Sequence, residues 1–168
     1  MAKTQQLQFI KINRNDTKHV DKIARELTDN MRDADKEEMN ALGFNDEEYC
    51  RASINLSFEA DEVRNAKGEL LCILGVSEYC DKDGHGVWLL GTTLAEQYAR
   101  EFIHFGRIKV QNLVTRYGDL FNYVAVTNKK SLRWLRLMGA KFDKPVMLGQ
   151  NGEHFVKFHI RKGVERNV

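Results

Sequence analysis

The chain has almost no excess of charge, few cysteines and no long apolar run. Its 26 Lys and Arg face 24 Asp and Glu, a formal net charge of +2. That is too near balance for bulk attraction to nucleic acid or an anionic membrane. Cys50, Cys72 and Cys80 are odd in number and form neither a CxxC pair nor a His-spaced ligand set. This argues against a disulfide framework and a zinc module, and for a reducing, intracellular setting. The opening MAKTQQLQFIKINRND lacks a signal-peptide apolar core, and no stretch approaches the roughly 20 apolar residues of a membrane span. A soluble protein made in the cytoplasm, without a metal site, is expected.

What is present is ordinary globular material: 168 residues, 42% apolar and 30% charged, enough for one sizeable core. The expected organisation is one domain over residues 1–162 and a fraying tail over 163–168.

The most informative stretch is DLFNYVAVTNKKSLRWLRLMGAKF, Asp119 to Phe142. Phe121 and Tyr123 to Val126 form a nearly continuous apolar run, as in a strand covered on both faces. Thr127 and Asn128 punctuate it. Leu132, Leu135 and Met138 then recur at helical spacing until Gly139, so a short amphipathic helix packs back on the sheet.

Upstream, Leu7 to Ile12 reads as a strand. A helical stripe follows through Val20, Ile23, Leu27, Met31 and Ala34, in a region ending near Gly43. Asn45 with Glu48 marks the cap of a second helix. Val63 sits in a weak strand, Leu70 to Val76 is a strong one, and Gly86 to Leu90 is the next. Thr93 with Glu96 forms a capping box for a long helix through Tyr98, Phe102, Phe105 and Leu113, with Gly106 interrupting its propensity. Val146 to Leu148 and Phe155 to Ile160 close the chain as a hairpin. The order predicts an α/β (α+β) layered domain, a mixed sheet flanked by about four helices.

With Asn128, Ser131, Gly139 and Phe142 at the spacing in hand, this order resembles the Gcn5-related N-acetyltransferase (GNAT) fold. NYVAVTNKKSLRWLRLMGAKF and DNMRDADKEEM, Asp29 to Met39, are similar to the podophage acetyltransferase-like family that includes internal virion protein A of short-tailed phages.

The superfamily resemblance implies an acetyl-CoA cleft, here Leu90, Gly91, Thr92, Thr93 and Asn128. Backbone amides at a helix start would hold the pyrophosphate there. Yet LLGTTLAEQ has a single glycine where the family spaces several. Leu135 stands where a Tyr general acid is expected, and it has no proton to give. Glu78 and His85 are the candidates for a general base, with Asp81 and Asp83 nearby; a turn or solvated role is the plainer reading of each.

The resemblance therefore implies a phage protein with a catalytically degenerate acetyltransferase fold, serving as an internal-virion or particle-assembly component. Its partners would be phage structural or host proteins, with synthesis in the host cytoplasm and the virion as a further destination. The alternatives are an active acetyl-CoA-dependent N-acetyltransferase of a protein or small amine, and a host-directed binding protein or inhibitor. Lys129, Lys130, Arg133 and Arg136 share one short helix and are the one place where nucleic-acid phosphates could be met, although such runs are usually solvated.

Overall fold

The computed structural model of the chain describes residues 5–163; the expected tail lies, from residue 164 onward, outside the described residues. Strand β1 (Gln8–Lys11) leads into helices α1 (Thr17–Asp29), α2 (Asp33–Leu42) and α3 (Asp46–Asn55). Strands β2 (Ser57–Arg64), β3 (Leu70–Asp81) and β4 (Gly84–Gly91) form a meander. A 3-10 turn (Thr93–Tyr98) runs into α4 (Ala99–Tyr117), followed by β5 (Leu120–Ala125) and α5 (Lys129–Leu137). Short β6 (Lys141–Phe142) and β7 (Val146–Met147) and the longer β8 (His154–Ile160) end the chain.

All eight strands join one mixed sheet in the order β1-β2-β3-β4-β5-β8-β6, with β7 also on β8. On one face α1 and α3 cover the sheet, where Ile23, Leu27 and Ile54 pack with Ala60, Ile73 and Leu90. On the other face Leu113 of α4 and Leu132 and Leu135 of α5 pack with Leu74, Val76 and Val156. The expected mixed sheet, the closing hairpin and the Asn45 cap, whose Oδ1 accepts the Glu48 N–H at 3.2 Å, are all present.

Three local expectations change. There are five α-helices among the described residues rather than about four, because the apolar stripe running to Ala34 breaks at Asn30–Arg32. There Met31 forms an antiparallel bridge with Thr92. Thr93 is not a helix cap: the segment begins as a 3-10 turn, with no capping side-chain bond from Thr92. The weak strand at Val63 is a full eight residues, in which Glu59, Asp61 and Glu62 are buried. Lys109 pairs with Asp61, Arg116 with Glu59 and His19 with Glu62.

Gly106 does not break α4, which is continuous past it. It is small because α5 lies against it: a Cβ there would stand 2.9 Å from the Trp134 ring, whose Nε1–H donates to the Phe102 carbonyl at 3.1 Å.

Candidate functional site: the split between two parallel strands

Strands β4 and β5 are parallel neighbours, yet they pair only at His85 with Leu120 and Gly86 with Phe121. At the next position a side chain substitutes for the ladder. Asn122 donates through Nδ2 to the Val87 carbonyl at 2.7 Å and accepts the Tyr123 N–H at 2.8 Å. Beyond it the strands diverge, and backbone groups of Gly91 and Ala125 face the gap. Such groups need partners.

Helix α2 supplies them. Asp35 accepts the Gly91 N–H at 2.8 Å, and Glu38 accepts the Ala125 N–H at 3.0 Å and the Asn128 Nδ2–H at 2.9 Å. The linker before α2 makes a single antiparallel bridge just past the end of β4, Met31 with Thr92. Arg32 N–H donates to the Gly91 carbonyl at 3.0 Å, and Thr93 N–H donates to the Asn30 carbonyl at 2.9 Å. The acids come from i, i+3 positions, so both reach the same side of α2.

Arg32 completes the closure. Its Nε and Nη2 donate to the two Asp35 oxygens at 3.1 and 2.8 Å, and Nη2 also reaches Ser131 Oγ at 3.3 Å. Burial opposes its charge, but the Asp35 hydrogen bonds and the nearby carboxylates outweigh that and raise its pKa. For Glu38, desolvation outweighs the Asn128 and Ala125 hydrogen bonds and raises the carboxyl pKa.

Two chambers remain in the split. The outer one, about 450 Å³, lies between the 3-10 turn, α4 and α5, with Ala99, Phe102 and Ile103 along one side and Lys130 and Arg133 along the other. The inner one, about 310 Å³, lies between α2, β4 and β5 and opens past Phe44 and Leu148. Arg32, Leu89, Ser131 and Trp134 line both and form the wall between them.

The residues expected at an acetyl-CoA cleft are at the split, but their donors are committed elsewhere. Gly91 spends its N–H on Asp35, and its missing Cβ accommodates Arg32, whose Nε would stand 3.0 Å from that atom. Thr92 is buried, its N–H on the Leu71 carbonyl and its hydroxyl directed to the Leu70 and Leu71 carbonyls. Leu90 packs into the core under α1. Asn128 caps α5 through Oδ1, at 3.3 Å from the Ser131 N, while its Nδ2 serves Glu38. A pyrophosphate needs free N–H groups and would here meet the Asp35 carboxylate, so this loop, as folded, does not fit that group. Leu135 is buried against the same split.

Glu78 and His85 lie at the paired end of the strands. His85 is six positions before Gly91 on β4, roughly 20 Å at strand rise. Glu78 takes a 2.7 Å hydrogen bond from Arg14 at the surface. His85 packs edge-on to Phe58 and Tyr117. Asp81 and Asp83 pair with Lys157, away from the split. The basic helix is partly matched: Lys130 meets Glu96 at 2.9 Å, and Arg136 lies over the Phe142 ring. Among the described residues, no group of three or more His, Cys, Asp or Glu could hold a metal ion, and no helix is long and apolar enough to cross a membrane.

Arg32, Asp35 and Glu38 did not emerge as site residues from the sequence, although DNMRDADKEEM contains all three. Their signal is two acids one helical turn apart beside Met39, on the side of α2 that turns inward.

Solved structures share this architecture across nearly the whole chain. A candidate acetyltransferase from Acinetobacter baylyi ADP1 superposes with a TM-score of 0.68 at 14% identity, covering 95% of this chain and 94% of that one. Spermidine N-acetyltransferase from Vibrio cholerae, solved in complex with CoA and spermine, gives 0.63 at 12% identity, covering 94% and 96%. A GNAT-family acetyltransferase from Bacillus anthracis gives 0.61 at 11% identity, covering 95% and 97%. The chain has the GNAT fold. At these identities the likeness establishes the fold alone. Residues 70–146, from the start of β3 to the first residue of β7, also match the family described as "Bacteriophage T7, probable scaffold protein Gp13". No curated protein matches.

Proposed function

We propose that this chain is a phage particle-assembly or internal-virion protein, a single GNAT-like domain over residues 1–162 that binds other phage proteins and does not transfer acetyl groups. The observation that carries this reading is the closure at Gly91. Its amide, its carbonyl and the space of its missing side chain are all taken up by Asp35 and Arg32. The match of residues 70–146 to a phage scaffold-protein family supports the assembly role. Phage structural proteins are the partners this predicts, with synthesis in the host cytoplasm and a place in or on the particle.

Calorimetric titration with acetyl-CoA tests the closure. The expected result is no saturable heat up to millimolar ligand; saturable binding in the micromolar range would overturn it. Deletion of the protein from the phage tests the role, with defective particles expected and normal particles counting against it.

One observation favours the alternative of an active N-acetyltransferase. The outer chamber of about 450 Å³ is apolar inside, with Lys130 and Arg133 at its rim. That reading predicts acetyl-CoA binding by the wild-type chain, which the same titration measures.

A further inference from the structure

The near-balance of the whole chain conceals an uneven distribution of charge. Residues 126–153, the entire segment between β5 and β8, hold six cations, Lys129, Lys130, Arg133, Arg136, Lys141 and Lys144, against the carboxylates of Asp143 and Glu153. That segment is therefore +4 and the rest of the chain −2. Elsewhere the cations are spent on internal partners: Arg64 on Glu26 and Glu62, Arg51 on Asp21 and Glu47, Lys109 and Arg116 on Asp61 and Glu59. On α5 the pairing nearly stops. Lys130 meets Glu96, but among the described residues no carboxylate forms an ion pair with Lys129, Arg133 or Arg136.

Lys129, Arg133 and Arg136 stand at i, i+4 and i+7, a stripe roughly 10 Å long on the side of α5 opposite the buried Leu132 and Leu135. All three are exposed. Arg107 of α4, also exposed, joins the far end, where its Nε donates to the Leu137 carbonyl at 3.2 Å. Helix stability does not account for the stripe. The first turn of α5 holds Lys129 and Lys130 and no acid, the reverse of what the helix dipole favours. Nor does the helix offer an apolar face, since Leu137, at 39%, is its single exposed large apolar side chain. Protein partners meet through apolar, charge-poor cores, and membrane-surface helices insert an apolar face. A phosphodiester backbone asks only for a line of cations.

We propose that the solvent side of α5 is a docking surface for the backbone of duplex nucleic acid, held by Lys129, Arg133 and Arg136, with Arg107 at its end. Guanidinium forks suit phosphate oxygens, and contacts confined to phosphates carry no sequence information. The proposal goes beyond the assembly reading and does not rest on it. Lys129, Arg136 and Arg107 line neither chamber, so the surface is separate from the split at Gly91.

The experiment is fluorescence anisotropy of a labelled DNA duplex of about 20 base pairs, titrated with the full chain in KCl from about 50 to 200 mM. Saturable binding is expected, with log K falling against log salt at a slope of about −3.5 for four phosphate contacts. A duplex of unrelated sequence should bind within about twofold. An RNA duplex of the same sequence is the parallel arm: tighter binding to it assigns the surface to RNA, the reverse to DNA. Lys129→Glu/Arg136→Glu should weaken binding at least tenfold and flatten the slope by about 2. Lys22→Glu/Arg25→Glu makes the same change in net charge on α1, across the sheet, and should stay within about threefold of wild type. All four positions are exposed, and circular dichroism verifies that both variants fold. No binding at the lowest salt, a slope near zero, or equal losses in the two variants would each overturn the proposal. So would displacement of the duplex by a dinucleotide at millimolar concentration, or tighter capture by vesicles of phosphatidylcholine and phosphatidylserine. None of these outcomes depends on the particle phenotype or the acetyl-CoA titration that test the assembly reading.

Discussion

Asp35 accepts the Gly91 amide at 2.8 Å while the Arg32 guanidinium grips both of its oxygens. One carboxylate from α2 thus ties the end of β4 to the linker that precedes its own helix, and it is nearly fully buried in doing so. Removal of either partner strands a charge in a poorly solvated place, whereas removal of both does not.

Asp35→Ala should therefore lower the unfolding free energy by about 3 kcal/mol, and Arg32→Met by a similar amount. The double variant should cost clearly less than the sum of the two. Urea unfolding of the four proteins in a double-mutant cycle measures the coupling; additive losses would show that the pair is not a unit.

Glu26 sets one acid limit of the fold. Arg64 donates to its two oxygens at 2.9 Å each, and those hydrogen bonds hold its pKa below the ordinary 4.5 against the pull of burial. The depressed pKa contributes stability that is present above the unfolded value and is lost as pH falls through the folded one. The pair is partly exposed, so the expected loss is only about 0.5–1 kcal/mol. Glu26→Gln should be less stable at pH 7 and approach the wild type as pH falls through the lowered folded pKa, a convergence that urea unfolding across the acid range measures.

Glu38 should act in the opposite direction. Desolvation raises its pKa above 4.5 in the folded state, so the native protein holds this proton more tightly than the unfolded chain. The penalty is fully present above the folded pKa and fades as pH falls from there towards the unfolded value. Glu38→Gln should remove that contribution, giving a protein at least as stable as wild type at pH 7 with a flatter stability profile between pH about 4.5 and 7. Thermal melts across that range provide the comparison, and a steeper profile in the variant would contradict the assignment.

Gly106 separates propensity from packing. Alanine is the better helix former by about 1 kcal/mol, but its Cβ would lie 2.9 Å from the Trp134 ring and 3.3 Å from Met138 Sδ. Gly106→Ala should come out about 1 kcal/mol less stable than wild type, and Gly106→Leu about 3 kcal/mol less stable. A gain in melting temperature for the alanine variant would mean that α5 yields freely.

Much of the architecture was legible because several elements carry their own period. Leu132 and Leu135 mark the buried face of α5, and the run from Leu70 to Val76 is buried throughout. Strand β2 was harder to read. Its Glu59 and Asp61 are core-facing only because Lys109 and Arg116, more than forty residues away, neutralise them. The break at Met31 was invisible for a similar reason: a helical stripe continues across it, and only Thr92, the residue after β4, diverts the backbone into a bridge. The site followed suit. Gly91 and Asn128 could be located from local grammar, whereas the acids that occupy the split come from another part of the chain and are chosen by tertiary contact.

The two-residue pairing between β4 and β5 also bears on how the molecule comes apart. A sheet joined at its middle by so short a ladder consists of two half-sheets, β1 to β4 and β5 to β8. They are held together chiefly by side chains: Asn122 reaching Val87, Glu38 reaching Ala125, and the helices that bridge them. Amide hydrogens inside each half-sheet, such as those of Ile73 and Val156, should exchange only on global unfolding. The Ala125 amide, whose partner is a carboxylate on another element, should exchange through a smaller opening. The cleft and the weakest seam of the sheet are one and the same line.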